Sequence, residues 1–416
     1  MLSREQNDKL TRVGPGTPMG ALMRRYWIPA AFAEAVAKPD CPPVRVKLLG
    51  ETLVLFRDTS GRLGLISEFC PHRLASFFFG RNEEDGIRCV YHGLKFDVTG
   101  ACVDVPCVPP SETQQIATVK RELKVKSYPC IERAGLVWTY MGPTGEAPEF
   151  PQLEWTLVPD SHRYATRHVQ ECNWLQALEG GFDAPHLTFL HRGGSRVSAG
   201  RDVVPSFYEV QATDFGFVVA TGRDTGKPDI MWNLNIMLMP FHKIISTTPF
   251  GAHMWVPLDD ENTMLYSIDF NPDRPLSAEE IATAKSGEWI HTENIAGTDH
   301  AIRNKGNDYL IDRALQASGQ SFTGIKGFGT QDCAIQESMG SIVDRSQEYM
   351  LMGDAAIVKL RRLLLQAVDD NAAGKTPMGH DPGSYRVRSL RCELPKGADM
   401  AAAMNDLVRI EKLAAQ

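Results

Sequence analysis

The chain reads as an α+β protein in two parts, a small antiparallel β domain followed by a larger domain whose antiparallel sheet is covered by a helix. Three observations predict this. From Val44 to Ile66 apolar residues fall on alternate positions (Val44, Val46, Leu48, then Leu53 and Leu55), interrupted by Gly50 and by Asp58-Thr59-Ser60-Gly61, the pattern of short strands joined by tight turns. Residues 142–151 are rich in Pro, Gly and Glu, which marks a linker. Beyond it, strand-like runs precede Ile357, Leu360, Leu363, Leu364, Ala367 and Val368, which recur at helical spacing.

The elements follow in order. A short helical opening runs into Gly14-Pro15-Gly16-Thr17-Pro18-Met19-Gly20, which follows no strand and is broken by prolines, so it reads as a turn feeding Ala21 to Trp27 and not as a phosphate loop. Ile87 to Phe96 and Leu136 to Tyr140 extend the first β domain. In the second part, Phe215, Phe217, Val219 and Thr221 share one strand face, Ile236 to Ile245 and Met264 to Phe270 read as further strands, and Met400 to Ala415 as an amphipathic helix. The expected divisions are a helical arm over 1–25 packing on the second domain, a β domain over 26–145 and a second domain over 146–416.

Composition narrows the function. At 416 residues, with 43% hydrophobic and 23% charged residues, the chain is an ordinary globular one and not a disordered tail or stapled miniprotein. Lys and Arg number 44 against 51 Asp and Glu, a net charge of −7, so no general attraction to nucleic acid or to an anionic membrane is expected. Met1 to Val13 alternates charged and polar residues, and no apolar run approaches the roughly 18 residues of a bilayer span. Nine cysteines at irregular spacing form no disulfide framework and fit a reducing compartment, so a cytoplasmic location is expected. Cys102, Cys107, Cys130, Cys172 and Cys333 read as core thiols.

Cys70-Pro71-His72 and Cys89-Val90-Tyr91-His92 are separated by sixteen residues, each group ending a strand pattern and entering a tight loop. Two thiolates and two imidazoles suit either a structural zinc or a two-iron cluster. Zinc patterns usually set two cysteines together and then two histidines, whereas here each loop supplies one of each. That alternation suits a [2Fe–2S] cluster with one iron on Cys70 and Cys89 and the other on His72 and His92, a Rieske centre that takes up single electrons.

With His92-Gly93, Phe96-Asp97 and Thr99-Gly100, the stretch from 44 to 140 resembles the Rieske oxygenases. Leu74-Ala75 after His72 and Tyr91 before His92 stand where cytochrome-complex Rieske proteins carry an extra cysteine pair.

Further on, Asn173 to Phe182 runs into Asp183-Ala184-Pro185-His186-Leu187-Thr188-Phe189-Leu190-His191, the pattern D-x2-H-x4-H. On an ideal helix His186 and His191 lie about 140° apart, so both face one ion only if the helix breaks, and Pro185 and the glycine pair before it favour a break. Two imidazoles and a carboxylate form the facial triad of non-haem Fe(II) oxygenases, which leaves positions open for O₂. Read alone, the segment also fits two satisfied surface histidines and a capping aspartate. Glu179, one turn before Asp183, either tunes it or is merely solvated.

The resemblance extends here, through Glu171-Cys172-Asn173-Trp174 and D-x2-H-x4-H, to the catalytic domain of the same oxygenases, and over Phe322 to Arg345 and Gly14 to Trp27 to the phthalate 4,5-dioxygenase branch. It implies a helix-grip, START-like catalytic domain, with Asp183 as the bridge between metal centres and His186 and His191 as ligands of a mononuclear non-haem Fe(II). For the third ligand Asp332 matches best, with Asp344 and Glu337 as rivals. It also implies a homotrimer or stacked hexamer and electrons from a separate NAD(P)H reductase carrying FMN and a plant-type [2Fe–2S] cluster. No G-x-G-x-x-G or P-loop follows a strand pattern in this chain. Arg223, closing a strand face, and Lys243, after the apolar run through Met239, are candidate anchors for a carboxylate. The expected reaction is hydroxylation of an aromatic acid with O₂, as cis-dihydroxylation, with monooxygenation or O-demethylation as the alternative. From a different class, a zinc- or cluster-binding electron carrier fits the same cysteines and histidines.

Overall fold

The computed structural model describes residues 1–193 and 203–413, and the chain divides into two compact units, Met23–Ala147 and Met1–Leu22 together with Pro148–Gln416. Helix α1 (Arg4–Thr11) opens the larger unit.

The smaller unit holds eleven short strands and helix α2 (Thr113–Glu122). In chain order the strands are β1 (Trp27–Phe32), β2 (Val44–Leu48), β3 (Glu51–Arg57), β4 (Leu63–Ser67), β5 (Arg81–Glu83) and β6 (Gly86–Arg88). Then come β7 (Lys95–Phe96), β8 (Cys102–Asp104), β9 (Ser127–Tyr128), β10 (Cys130–Arg133) and β11 (Leu136–Tyr140). They form three antiparallel sheets in the orders β1-β11-β10, β2-β3-β4-β9 and β5-β6-β7-β8. The β2–β3 hairpin pairs Leu48 with Glu51 across Leu49 and Gly50, both at positive φ (47° and 77°), the two-residue turn whose twist matches its strands. Alternation predicts Leu53 and Leu55 inside with their neighbours outside, yet Leu53 to Phe56 are all buried, because β3 lies between β2 and β4 and is covered on both faces. Val54, Phe56, Ile66, Phe77, Ile87 and Phe96 form one core, and Cys70 and Cys89 belong to it.

The larger unit is built on an antiparallel sheet of eight strands: β12 (Arg163–Gln170), β13 (Phe207–Ala212), β14 (Gly216–Arg223), β15 (Asp229–Leu238), β16 (His242–Ile245), β17 (Phe250–Pro257), β18 (Thr263–Phe270) and β19 (Leu390–Pro395). The order is β12-β18-β17-β16-β15-β14-β13, with β19 paired to the N-terminal part of β15. The expected single run Ile236 to Ile245 is two strands, because Pro240 has no N–H to give a ladder and the chain turns there. Four further helices matter: α3 (Trp174–Phe182), α4 (His186–Phe189), α5 (Phe328–Ser338) and α6 (Ala355–Ala372). Helix α6 packs against β13 and β14, burying Ile357, Leu360, Leu364 and Val368, which gives the expected helix-covered sheet. The expected helix from Met400 is two, Met400–Leu407 and Ile410–Leu413, and residues 414–416 lie outside the described ones. No described helix is long and apolar enough to cross a membrane.

Two devices hold α3 in place. The Trp174 indole donates to the Leu10 carbonyl (3.2 Å) and the Asn173 amide to the Thr11 carbonyl (2.9 Å), tying α1 to the start of α3. Inside, the Glu179 carboxylate takes hydrogen bonds from Arg345 and Arg361, Arg345 also reaches Asn7 of α1, and Arg361 reaches Glu348. Burial raises the Glu179 carboxyl, but the Arg345 and Arg361 charges outweigh it and hold it below its usual range. Glu179 is therefore neither solvated nor directed at Asp183. Among the cysteines read as core thiols, Cys107 is exposed.

The glycine pair that ends α3 serves close packing. A Cβ on Gly181 would stand 2.5 Å from the Trp255 ring, and one on Gly180 would stand 2.1 Å from the Gln336 amide. Gly181→Ala is expected to lower stability by about 1–3 kcal/mol, because the rigid Trp255 ring must be displaced as a whole, whereas Gly180→Ala costs less because a flexible amide end moves aside. Chemical denaturation of both variants checks the order.

Candidate metal centres

In the smaller unit the two Cys/His loops are built alike. The Cys70 N–H donates to the Ala75 carbonyl (2.9 Å) and the Leu74 N–H donates back to the Cys70 carbonyl (2.8 Å). The second loop repeats both bonds, from Cys89 to Leu94 (2.8 Å) and from Gly93 to Cys89 (2.9 Å). In each, the residue four beyond the cysteine turns left-handed, Leu74 at φ 60° and Gly93 at φ 77°. This turn sends the thiol inward and the histidine outward. Cys70 and Cys89 are buried, while the His72 and His92 rings lie edge to face toward the surface with centroids 4.5 Å apart. Burial, followed by the neighbouring Cys89, pushes the Cys70 thiol up to about 11, so paired thiolates here call for cationic partners. An inner sulfur pair and an outer nitrogen pair fit a two-iron cluster with unlike irons.

In the larger unit the break expected between Asp183 and His191 is present. Helix α3 closes with the Asp183 N–H on the Glu179 carbonyl, and α4 restarts at His186. After Phe189 the turn tightens, the Arg192 N–H donating to the Phe189 carbonyl at 3.1 Å, so His191 lies past the helix end and swings back toward His186. Helix α5 supplies the third member. His191 Nε2 is 3.3 Å and His186 Nε2 3.5 Å from Asp332 Oδ1, and the three ligand atoms lie within 4.8 Å of one another. Asp344 is engaged by Ser346 and Gln347, and Glu337 accepts a hydrogen bond from the Tyr309 hydroxyl (2.5 Å), so neither rival joins the group.

The electrostatics fit a cation. His191 Nε2 is buried with no hydrogen-bond partner. Burial draws His186 toward its neutral form, but the Asp183 and Asp332 carboxylates beside its two nitrogens outweigh it and push it up to about 9. Against burial, the two imidazoles hold the Asp332 carboxyl well below its usual range. Two nitrogens and a carboxylate oxygen around one point suit a divalent transition metal. Asp183 stands on the other side of His186, its Oδ2 3.6 Å from Nδ1 and its Oδ1 buried without a partner.

Beside this group lies a cavity of about 950 Å³ including its mouth, with Phe182, Val219, Trp255, Leu265 and Trp289 among its walls. Lys243 lines it, donating from Nζ to the Gly181 carbonyl and standing 5.5 Å over the Phe182 ring. Arg223 does not line it. It is buried at the end of β14, with Nε on the Val203 carbonyl (3.0 Å), because it lies one step of the pleat beyond the cavity-lining Thr221.

Two residues went unmarked in the sequence. Phe328 stacks on His191, centroids 3.5 Å apart and planes 13° apart, and Gln331 Oε1 is 2.7 Å from His191 Nδ1. With Asp332 they form an i, i+3, i+4 set on α5, a spacing that signals one helix face but not what it faces.

Residues 26–129 match the Rieske [2Fe–2S] domain family, and residues 139–415 the family described as LigXa C-terminal domain like. The chain is 37% identical to the 3-chlorobenzoate-3,4-dioxygenase oxygenase subunit of Comamonas testosteroni, over 99% of this chain and 100% of that one. It is 35% identical to the phthalate 4,5-dioxygenase oxygenase subunit of Pseudomonas putida, over 94% and 91%. An oxygenase–ferredoxin complex of carbazole 1,9a-dioxygenase shares the fold at a TM-score of 0.56 and 19% identity, covering 90% of this chain and 98% of the oxygenase. Matched along nearly its whole length by these families and relatives, the chain belongs to the Rieske non-haem iron oxygenases, oxidoreductases that carry a Rieske [2Fe–2S] cluster and a mononuclear iron.

Proposed function

We propose that the chain is the terminal oxygenase component acting on an aromatic carboxylate, with residues 26–145 receiving electrons and 146–416 holding the substrate. The observation that carries this reading is the meeting of His186, His191 and Asp332 beside an aromatic-walled cavity that also contains a lysine. A bare electron carrier has no use for such a cavity.

Cys70, Cys89, His72 and His92 would hold the cluster, and His186, His191 and Asp332 the mononuclear iron. When bound, the cluster supplies single electrons and the iron activates O₂. The chain's own residues do the rest. The aromatic walls strip water from the ring and hold it flat, and the Lys243 ammonium pairs with the carboxylate at one end, which sets which ring edge lies nearest the ligands. Aromatic ring, O₂, two electrons and two protons balance as a cis-dihydrodiol.

Electrons come from a separate protein, in our reading an NAD(P)H reductase with FMN and a plant-type [2Fe–2S] cluster. The exposed Leu74, Val90 and Tyr91 around His72 and His92 suit burial against another copy, as in a trimer or stacked hexamer. There the unpartnered Asp183 Oδ1 would accept from His92 of the next protomer while Oδ2 orients His186, making Asp183 the bridge.

The test is product identification with a panel of aromatic acids, a matched reductase and labelled O₂. Both labelled atoms in one diol are expected; a phenol with released formaldehyde would make the enzyme an O-demethylase instead, and no oxygenated product from any acid would overturn the substrate class. Asp332→Ala is expected to lower iron from about three to about two per chain while the cluster's visible spectrum persists. Elemental analysis and absorption read both. Lys243→Met is expected to raise KM for the acid by on the order of 10-fold or more, the loss of one charge-assisted hydrogen bond, with a much smaller change in kcat.

A further inference from the structure

The two imidazoles of the mononuclear site do not have equivalent partners. His186 turns Nδ1 toward the Asp183 carboxylate, whereas His191 turns Nδ1 toward an uncharged amide, Gln331. The orientation of that amide follows from its other contact. Gln331 Nε2 lies 2.8 Å from the Ile325 carbonyl oxygen, which can only accept, so the amide nitrogen must face Ile325 and the amide oxygen must face His191. An amide oxygen also only accepts, so His191 must carry its proton on Nδ1, leaving the Nε2 lone pair aimed at the point it shares with His186 and Asp332.

We infer that Gln331 is a positioning residue that locks His191 in the Nδ1–H tautomer and so presets Nε2 for the metal. The setting supports a lock. Gln331 and Thr330 are buried, Phe328 stacks on the imidazole face and stops it rotating, and Gln331 and Asp332, successive on α5, address the two nitrogens of the same ring. One helix thus carries a ligand, the clamp on a second ligand and the plate against which that ligand lies. The group at His191 Nδ1 is an uncharged amide and the group at His186 Nδ1 is a carboxylate, so the two imidazoles meet unlike partners.

This inference rests on the reading of His186, His191 and Asp332 as a metal site, and its test separates the two. The full chain, freed of its mononuclear metal by a chelator, is titrated with Co(II) in competition with that chelator. The same ¹⁵N-histidine-labelled protein gives long-range ¹H–¹⁵N spectra that show which ring nitrogen bears the proton. Gln331→Met keeps the length and removes the amide, Gln331→Glu keeps an oxygen acceptor, and Gln331→Asn draws the amide back by one methylene. The wild-type protein is expected to show His191 protonated on Nδ1. Gln331→Met and Gln331→Asn are expected to mix the tautomers of His191 and to weaken Co(II) binding about 10–100-fold, the range for loss of such a partner. His186 is expected to keep its tautomer throughout, and Gln331→Glu, which retains an oxygen acceptor, to keep His191 protonated on Nδ1.

Unchanged affinity with Nδ1 still protonated in Gln331→Met would overturn the lock, as would a folded Gln331→Glu in which the His191 tautomers mix as in Gln331→Met. A shift of His186 together with His191 would reduce Gln331 to a packing residue. If Gln331→Met does not fold, Gln331→Asn decides by the same readings. Wild-type protein that binds no Co(II) would sink the metal site, and the tautomer spectra would still decide the clamp.

Discussion

Three electron-rich atoms held face to face are the constraint on which the larger unit turns. His186 Nε2, His191 Nε2 and Asp332 Oδ1 lie within 4.8 Å of one another, two of them contributed from one chain break and the third from a helix more than a hundred residues later. Burial removes the water that would satisfy such atoms, so a proton or a cation shared among them, and the packing around them, must hold the group together. The surroundings answer with rigidity. Glu179, gripped by two buried arginines, fixes the helix before the break, and Gly180 and Gly181 let that helix end press against Gln336 and Trp255 with no intervening Cβ. The ligands are thus positioned by packing that does not itself involve the metal, which is what a centre with open coordination positions requires.

The smaller unit solves a related problem with backbone alone. Two loops of different sequence, Cys70-Pro71-His72-Arg73-Leu74 and Cys89-Val90-Tyr91-His92-Gly93, make the same pair of hydrogen bonds about the cysteine and both turn left-handed at the fourth residue beyond it. Glycine accepts that turn at no cost, whereas Leu74 does so against the preference of a branched side chain. The outcome is a sulfur pair in the core and a nitrogen pair at the surface, so one end of the ligand set is insulated and the other accessible to whatever exchanges electrons.

What the sequence discloses and what it hides divide along physical lines. The Cys/His spacing and D-x2-H-x4-H were legible because each set of side chains is local and its chemistry rare. The break between α3 and α4 followed from helix geometry, since His186 and His191 cannot meet on a continuous helix. The division at residues 142–151 and the helix covering the sheet were legible from composition and period. Strands β12, β13 and β17 were not: β12 and β13 are the partly exposed outer strands of the order, with no fully buried face to mark them, and in β17 burial on both faces removes alternation. Arg223 and Lys243 had equal claim as cations near strand ends; Arg223 shares a face with the cavity-lining Thr221 but lies two residues further along β14, past the cavity. Gln331 gave no sign because its role consists of a contact across 140 positions.

The contrast between Lys243 and Gln331 shows how specificity and reactivity are divided on the same frame. Lys243 is carried on the sheet and lines the cavity, so in the function proposed its effect falls on where the substrate ring comes to rest. Gln331 is carried on α5, behind a ligand, and never meets the substrate space directly. Phe328 belongs to both, since it lines the cavity and stacks on His191. Phe328 thus joins the cavity wall to His191, while His186 faces Asp183 instead. The cavity wall, through Phe328, and the Asp183 carboxylate therefore reach the same group of three residues through different imidazoles, so a residue on the sheet can shape the cavity without touching the partner of either ring.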